Sequence, residues 1–590
     1  MCSLALRSVV ILGTLLFAFT SSAKSADFRA LLDREWEWMM EQSPTWASSL
    51  GDRRWNDRWE DISAAAIEAR NEHQRQLLKE LEAMNRPALS EEDQLNYDLL
   101  VRQLRDELEG LPFRLDLMPI NRRGGIQTSD ELADALRFDN VKDYEDWIAR
   151  MRAFPDYMDQ TIALMREGIR LRILQPKVVI EPVLEQVDGQ IVGEVAKHPF
   201  LARFVKMPST IVEADQSRLK AEGAKAAIEQ VIPAFERLKT FLKQEYLPAC
   251  YDEVGVWQHP QGAACYAHLA RHFTTTALTP REIHDIGLRE VERITAAMEK
   301  VKTQVKFPGT LAQFFEHLRT DKRFFYASSA DLLLGYEAMS KRIDPTLVRL
   351  FRAMPRMPYG VKSIPDKIAP HTTTAYYREP APDGSRAGTF FVNLFKPETR
   401  PKWEMMALSL HESVPGHHFQ IALAQEQGEL PKFRRQLQFT AYVEGWALYC
   451  ESLGDELGLY DDPYDKFGQL TYDMWRAVRL VVDTGIHELR WSREKAITFF
   501  RDHAPKSEQD IVNEIDRYIG WPGQALAYKI GQLKIRELRT EAEAALGDRF
   551  DVRAFHDAVL LSGAVPLEVL QVRVRKHIQK AKLKSDAMPK

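Results

Sequence analysis

The chain has 590 residues, of which 45% are hydrophobic and 28% are charged, so it is long enough to bury several hydrophobic cores. Its formal net charge of -5 is small for this length, and no block of basic residues stands out. This excludes the electrostatic signature of a nucleic-acid-binding protein, and we expect a globular protein without a nucleic-acid partner.

The first residues have the pattern of a secretory signal peptide. Arg7 precedes an apolar run from Val9 to Thr20, and small residues follow through Ala23. The run is too short to span a bilayer comfortably, and no later apolar run is long enough to do so. We expect cleavage after Ala23 or Ser25 and a periplasmic or secreted mature protein without a membrane span. An uncleaved membrane anchor is the alternative.

Three cysteines follow Cys2, which lies in the leader. Cys250 and Cys265 can pair in an oxidising compartment, which would leave Cys450 as a lone, buried thiol. The sequence contains no C-x-x-C pattern that would indicate a cysteine zinc site.

Amphipathic segments with helical spacing follow one another along most of the chain, so we predict a mostly helical protein. They cover residues 62–84, 91–109, 143–171, 217–246 and 283–301. The last segment follows a helix-start signal, with Thr279 at the cap, Pro280 in the first turn and Glu282 at the third position. We divide the chain into the signal peptide (1–25), an N-terminal helical lobe (26–278) and a catalytic helical lobe (279–590).

Strand signals are few, at residues 177–182 and 388–394. The second strand follows residues 354–387, which are rich in proline and for which we expect a long loop, either functional or disordered. A strand at this place can bind an extended peptide by edge addition, with Asn393 in contact with the substrate. A short hairpin that closes the core is the alternative.

Residues 411–418 contain three imidazoles and a carboxylate at the end of a helix-forming segment. Such groups bind zinc and activate water, and in the motif H-E-x-x-H two histidines one helical turn apart are ligands while the glutamate is the base. Here Pro415 occupies the place of the second histidine, so the helix must kink or bulge. His411 and Glu412 stand where that motif has its first ligand and its base. His417 or His418 supplies the second ligand, with a slight preference for His418. A buried, hydrogen-bonded histidine cluster is the alternative.

Glu444 is the best candidate for a third ligand, in the segment Y-V-E-G-W-A-L-Y, 26 residues after His418. Its neighbours are apolar, so a charged carboxylate there must be paired or bound. Glu451 lies on the same helical face and can orient a histidine ligand. The alternative for Glu444 is a buried salt bridge with Arg476 or Arg479.

Three segments together resemble the signatures of a bacterial domain-of-unknown-function family that is often placed beside the gluzincin metallopeptidases. They are H-E-x-x-P-G-H-H-x-Q, E-G-W-A-L-Y and P-G-Q-A-L-A-Y-K-I-G. The resemblance covers nearly all of the mature chain, and the spacing is more distantly similar to that in angiotensin-converting enzyme. It implies a large, mostly helical zinc peptidase with a deep central cleft and a small β element beside the metal helix. The implied ligands are His411, His417 or His418, and Glu444, with Glu412 as the general base.

Two further clusters can complete such a site. Asp483 can fix the imidazole of His487, which is then a candidate donor to an oxyanion. Tyr528 resembles the downstream tyrosine that stabilises the tetrahedral intermediate in related peptidases. Arg517 and Lys529 flank this tyrosine, and either can bind the C-terminal carboxylate of a peptide. Each of these residues also has a purely structural alternative.

The sequence therefore predicts an exported, Zn²⁺-dependent peptidase that acts on oligopeptides and releases short pieces from the C-terminal end. One alternative is a catalytically inactive peptide-binding protein of the same fold, although Glu412 argues against it because binding alone needs no base. The other is a metal-dependent hydrolase of esters or non-peptide amides, whose active site would contain the same groups.

Overall fold

The computed structural model describes residues 25–366, 369–371, 373–428 and 430–586, so residues 1–24 of the predicted signal peptide lie outside the described residues. Most of the described residues are helical, and one three-stranded sheet lies among them. The prediction of a mostly helical protein with a small β element is confirmed. Within the described ranges, no helix is long and apolar enough to cross a membrane.

The helices before residue 279 confirm the amphipathic segments predicted there. They are α1 (25–42), α2 (Pro44–Ser49), α3 (Ala64–Glu82), α4 (Glu91–Gly110), α5 (Val141–Leu171), α6 (Lys177–Asp188), α7 (Ala202–Val205), α8 (Glu213–Ala226), α9 (Ile232–Phe241), α10 (Leu247–Ala249) and α11 (Gly262–Thr274). Short π-helical turns join α8, α9 and α10 into one continuous run. The strand predicted at residues 177–182 is wrong, because these residues form α6. Its buried residues Val179, Ile180 and Val183 follow the helical period, and a short apolar run fits either structure.

The remaining elements follow in the second half. They are α12 (Pro280–Gln304), α13 (Leu311–Thr320), α14 (Ser329–Ile343), β1 (Tyr359–Ser363), β2 (Ala375–Arg378), β3 (Gly388–Val392), α15 (Lys402–Glu412), α16 (His417–Gln425), α17 (Lys432–Gln436), α18 (Thr440–Leu457), α19 (Pro463–His487), α20 (Arg493–His503), α21 (Glu508–Gly520), α22 (Ala527–Leu546), α23 (Val552–Leu560) and α24 (Leu567–Asp586). Helix α12 starts with the predicted capping box between Thr279 and Glu282.

Helix α19 is the centre of the C-terminal core. Every residue from Phe467 to His487 is buried, and the helix packs against α12 and α15. Helix α18 packs against α22 at a close crossing, where Gly445 meets Gly531. Helix α11, which precedes residue 278, also packs against α18 and α22. No break in packing therefore marks the predicted lobe boundary, and the division at 278 stays a prediction.

The sheet has the order β1-β3-β2, with β1 parallel and β2 antiparallel to β3. The strand predicted at residues 388–394 is confirmed as β3, and the predicted loop before it contains β1 and β2. Edge addition to β3 is wrong, because this central strand is paired on both sides. Asn393 is buried and its side-chain amide donates to the carbonyl oxygens of Ala369 (2.7 Å) and Thr373 (3.2 Å). It therefore has a structural role, and the predicted contact with substrate is corrected.

Cys250, Cys265 and Cys450 are all buried and unpaired. The first two lie in different hydrophobic clusters, so the predicted pair between them does not form. Cys450 is a buried thiol, as predicted.

Candidate metal centre and active-site cavity

The helix is interrupted between α15 and α16, at the place predicted from Pro415. Helix α15 ends at Glu412 and α16 begins at His417. A Cβ on Gly416 would lie 1.9 Å from the carbonyl oxygen of His411, so only glycine fits at this junction. The carbonyl oxygen of Pro415 accepts a hydrogen bond of 2.8 Å from Nε1 of Trp446, which ties the junction to α18.

The break brings His411, His417 and Glu444 together, with one ligand atom of each within 4.8 Å of the others. Oε2 of Glu444 lies 3.5 Å from Nε2 of His411 and 3.3 Å from Nε2 of His417. The two imidazole rings are nearly perpendicular, with an interplanar angle of 87°. Helices α15, α16 and α18 therefore each supply one group to a compact cluster.

A second carboxylate on α18 contacts the ring nitrogen of His411 that faces away from Glu444. Oε1 of Glu451 lies 2.8 Å from Nδ1 of His411 and 3.2 Å from Nη2 of Arg476. Because a carboxylate only accepts, the neutral imidazole carries its proton on Nδ1, which leaves the lone pair of Nε2 for a metal ion. The orienting role predicted for Glu451 is thus present in the geometry.

The alternative salt bridge of Glu444 does not form in the described part of the chain. Arg476 pairs with Glu451, and Arg479 pairs with Glu514 at 2.9 Å.

The slight preference for His418 as the second metal ligand is wrong, because both of its ring nitrogens have other partners. Its Nδ1 accepts from the hydroxyl of Tyr377 at 2.8 Å, and its Nε2 donates to the carbonyl oxygen of Met357 at 2.9 Å. Burial lowers the pKa of His418 to about 4, so it is a neutral side chain with both nitrogens in use. Its role is to join α16 to the strand region.

The charges of the cluster suit a divalent cation. Burial alone would lower the pKa of His411, but the carboxylates of Glu444 and Glu451 outweigh it and raise the pKa to about 9. Burial likewise opposes ionisation of Glu444, yet His417 and His411 hold the pKa of this carboxyl well below its usual range. Oε2 of Glu444 and Nδ1 of His417 are buried without a well-formed hydrogen bond to any described residue. Two imidazoles and one carboxylate are a ligand set that fits zinc, once His411 has lost its proton.

The cluster lies in the wall of a cavity of about 250 Å³. Glu412 is also in this wall, and its carboxylate forms no hydrogen bond or ion pair with any residue that the structure describes. A carboxylate that lies free beside a metal centre is the arrangement that a general base requires.

The structure also brings Tyr528 and Arg517 into the cavity wall. Nη2 of Arg517 donates to the hydroxyl oxygen of Tyr528 at 3.0 Å and to Oε1 of Gln524 at 2.6 Å. Its Nη1 lies 3.5 Å from Oε2 of Glu514. Arg517 thus orients the tyrosine hydroxyl, and most of its own hydrogen-bonding capacity is used within the protein.

The catalytic role predicted for His487 is corrected, because this residue lies outside the cavity wall. It is buried, its Nδ1 accepts from the backbone N–H of Val256 at 3.1 Å, and its Nε2 donates to the carbonyl oxygen of Tyr518 at 3.0 Å. Burial lowers its pKa to about 4. Asp483 does not fix this imidazole but accepts from Tyr266 at 2.5 Å.

Lys529 is likewise not available to a substrate. It is fully buried, and its ammonium contacts Asp473, Gln532 at 2.8 Å and Glu290 at 3.5 Å. The predicted carboxylate contact is therefore corrected to a structural ion pair.

Two of the contributions to the cavity wall that were not predicted from sequence come from segments far from the motifs. One is residues 373–377 with Glu379, which belong to or flank the edge strand β2 and lie in a segment predicted to be a loop. The other is Arg123, from the N-terminal half. A turn signal was present around it, since two arginines precede two glycines in N-R-R-G-G, but nothing local indicated which distant surface the turn would reach.

The fold and this cluster define a mostly helical protein with a candidate His–His–Glu metal centre in an internal cavity. Residues 44–574 match the family model described as "Bacterial protein of unknown function (DUF885)", and the chain belongs to this family. The resemblance to a bacterial domain-of-unknown-function family is thus confirmed.

Two solved structures share the fold over almost their whole length. A candidate lipoprotein of Colwellia psychrerythraea is 29% identical, with a TM-score of 0.90 over 94% of this chain and 99% of the other. A candidate lipoprotein of unknown function from Shewanella oneidensis is 18% identical, with a TM-score of 0.70 over 93% and 98%. An oligoendopeptidase F candidate from Bacillus anthracis str. Ames is 10% identical over 88% and 96%, and its TM-score of 0.33 is too low to support an argument. None of the curated proteins compared with the chain matches it.

Proposed function

We propose that this protein is an exported, zinc-dependent peptidase related to the gluzincins that hydrolyses oligopeptides. The observation that carries the proposal is the convergence of three ligand atoms, from His411, His417 and Glu444, beside the unpaired carboxylate of Glu412. A bound zinc ion would lower the pKa of a coordinated water and polarise the carbonyl under attack.

Other residues of the cavity and its surroundings have separate roles in the proposed reaction. Glu451 holds the imidazole of His411 in one tautomer and orientation. Glu412 accepts the proton of the attacking water and passes it to the leaving amine. The hydroxyl of Tyr528, oriented by Arg517, donates to the developing oxyanion.

The edge strand β2 supports a peptide as the substrate. It is paired only with β3 among the described strands, and its residues line the same cavity as the metal centre. An extended peptide can form backbone hydrogen bonds with such an edge, which an ester or a small amide cannot do along its length. The arginines of the cavity wall favour a substrate that presents a carboxylate, in agreement with release from the C-terminal end.

The test is digestion of a mixed peptide library, read by mass spectrometry, by the metal-loaded wild type and by Glu412→Gln. We expect cleavage by the wild type and its loss in Glu412→Gln, with the metal content unchanged. Glu426→Gln is the matched control, because Glu426 pairs with Arg356 and does not line the cavity. Cleavage by Glu412→Gln at the wild-type rate would contradict the proposed mechanism, and hydrolysis of esters but not of peptides would contradict the substrate class.

A further inference from the structure

A tight turn in the N-terminal half is built to hold one arginine in the active-site cavity. Asn121 and Gly124 exchange backbone hydrogen bonds of 3.0 and 3.3 Å, and the side-chain oxygen of Asn121 accepts from the backbone N–H of Arg123 at 2.8 Å. The side chain of Gln127 donates to the carbonyl oxygen of Asn121 at 2.8 Å, which fixes the turn from below. The backbone around Arg123 is therefore held by side chains of its own segment.

The two neighbouring arginines of this turn have different surroundings. Arg122 lies 3.5 Å from the carboxylate of Asp516 on α21, which docks the turn against the C-terminal half. Arg123 lines the cavity together with His411 and Glu412. Its guanidinium forms no hydrogen bond or ion pair with any described residue, although Arg122 beside it does.

The wall that Arg123 joins has more cations than anions. Arg479 and Arg517 both contact Glu514, at 2.9 and 3.5 Å, so two guanidinium groups share one carboxylate. Nη1 of Arg479 and Nε of Arg517 are buried without a hydrogen-bond partner among the described residues. The side chain of Arg123 is exposed and unpaired within the described part of the chain, and unused N–H groups of Arg479 and Arg517 are buried in the same wall, so an anion in the cavity would meet several donors.

We propose that Arg123 is the specificity-determining residue of this cavity and binds a carboxylate of the peptide substrate. The inference rests on the proposed function for the identity of the ligand as a peptide. Arg517, which the sequence analysis assigned to this role, already donates to Gln524 and Tyr528. Arg123 has its whole guanidinium available and can form two parallel hydrogen bonds with a carboxylate.

The size of the cavity limits where that carboxylate lies in the substrate. The proposed metal ligands and Arg123 line one cavity of about 250 Å³. Only a short stretch of peptide can therefore separate the scissile bond from the bound carboxylate. The C-terminal carboxylate and an acidic side chain near the C-terminus share the required chemistry, and matched peptides distinguish them.

The experiment measures binding rather than turnover, by calorimetry on metal-loaded Glu412→Gln protein. One peptide sequence is used in three forms: the free acid, the C-terminal amide, and an amide whose last residue is glutamate. The protein carries Arg123, Arg123→Gln, Arg123→Lys or, as the matched control at the same turn, Arg122→Gln. We expect a preference for the free acid over the plain amide of at least about tenfold with Arg123, as a hydrogen-bonded charge provides.

Arg122→Gln is expected to keep this preference, Arg123→Lys to keep part of it, and Arg123→Gln to bind acid and amide about equally. Equally tight binding of the glutamate amide and the free acid would show that Arg123 accepts any carboxylate near the C-terminus. Weak binding of the glutamate amide would show that Arg123 binds the C-terminal carboxylate itself. An unchanged preference for the free acid in Arg123→Gln would overturn the inference. If Arg123→Gln does not fold, an unchanged preference in Arg123→Lys would overturn it instead. So would failure of every peptide to bind. Binding with the expected preference but no hydrolysis by the wild type would contradict only the proposed function.

Discussion

Oε1 of Glu451 lies 2.8 Å from Nδ1 of His411, and this contact determines which nitrogen of the imidazole faces the cluster. The glutamate is fully buried and also pairs with Arg476, so its carboxylate is fixed in place. The neutral form of the predicted ligand His411 is thus held in the tautomer that a metal ion requires, by a residue on the same helix as Glu444.

Glu451→Gln is expected to lower metal affinity about 10- to 100-fold, the usual effect of losing a carboxylate behind a histidine ligand. A competition assay with a coloured chelator measures it. The control is Glu456→Gln on the same helix, because Glu456 is partly exposed and pairs with Arg539 outside the cluster. Equal affinities of wild type and Glu451→Gln would exclude the orienting role.

Metal affinity is expected to fall as the pH falls below about 9. The pKa of His411 is raised to about 9 in the metal-free protein, so below that pH a proton must leave before the imidazole can bind a metal ion. The dissociation constant, measured from pH 6.5 to 9, should decrease about tenfold per pH unit. A flat profile over this range would show that His411 is not the competing group.

The raised pKa of His411 also makes the stability of the metal-free protein depend on pH. Stability is expected to fall as the pH rises, whereas metal affinity is expected to rise. The folded-state pKa of His411, about 9, lies above its ordinary value of 6.5, so the stabilisation is fully present below pH 6.5 and is lost as the pH rises through about 9. Thermal unfolding of the metal-free wild type should therefore show a melting temperature that decreases over this range by more than that of His411→Gln. Parallel decreases in the two proteins would contradict the assignment.

Tyr528→Phe is expected to lower kcat about 100-fold or more, because the change removes one donor to the oxyanion and leaves the ring in place. KM and metal content should change little, since the hydroxyl is proposed to act only in the transition state. Steady-state kinetics on one good peptide measures both constants. A rise in KM with an unchanged kcat would show that Tyr528 binds the substrate rather than the transition state.

Gly531→Ala is expected to destabilise the protein by about 1–3 kcal/mol, because a Cβ there would lie 1.8 Å from the carbonyl oxygen of Ala441 and force α22 away from α18. The melting temperature measures this change. Gly193→Ala is the control, since a Cβ at Gly193 meets no atom within 4 Å. Equal melting temperatures of the two variants would show that the close crossing does not support the helix that carries Glu444.

The helices and the break within the central motif were predictable from sequence, because both depend on local patterns. The period of the apolar residues indicated α3, α4, α5 and α12, and Pro415 marked the break after Glu412. The choice between His417 and His418 was not predictable. It depends on how many residues the break removes from the helix and on the contacts of Tyr377 and Met357 with His418, which come from distant segments.

Residues whose role depends on distant partners were the ones predicted wrongly. Lys529 directly follows Tyr528, and His487 lies between the second and third motifs in sequence. The ammonium of Lys529 pairs with Asp473, and the imidazole of His487 is hydrogen-bonded to the carbonyl oxygen of Tyr518. Arg123 is far from the motifs in sequence and lies in the cavity because the turn docks on α21 through Asp516. Charge pairing of this kind is decided by the assembled fold, so no window of sequence contains it.

His411, His417 and Glu444 are proposed to bind one metal ion, and His418 is not. The most direct test is the zinc content per chain, measured by atomic emission on wild type, His417→Ala and His418→Ala after equal exposure to zinc and removal of free ions. We predict about one zinc ion per chain in the wild type and in His418→Ala, and its loss in His417→Ala. Full zinc occupancy in His417→Ala, or its loss only in His418→Ala, would contradict the account.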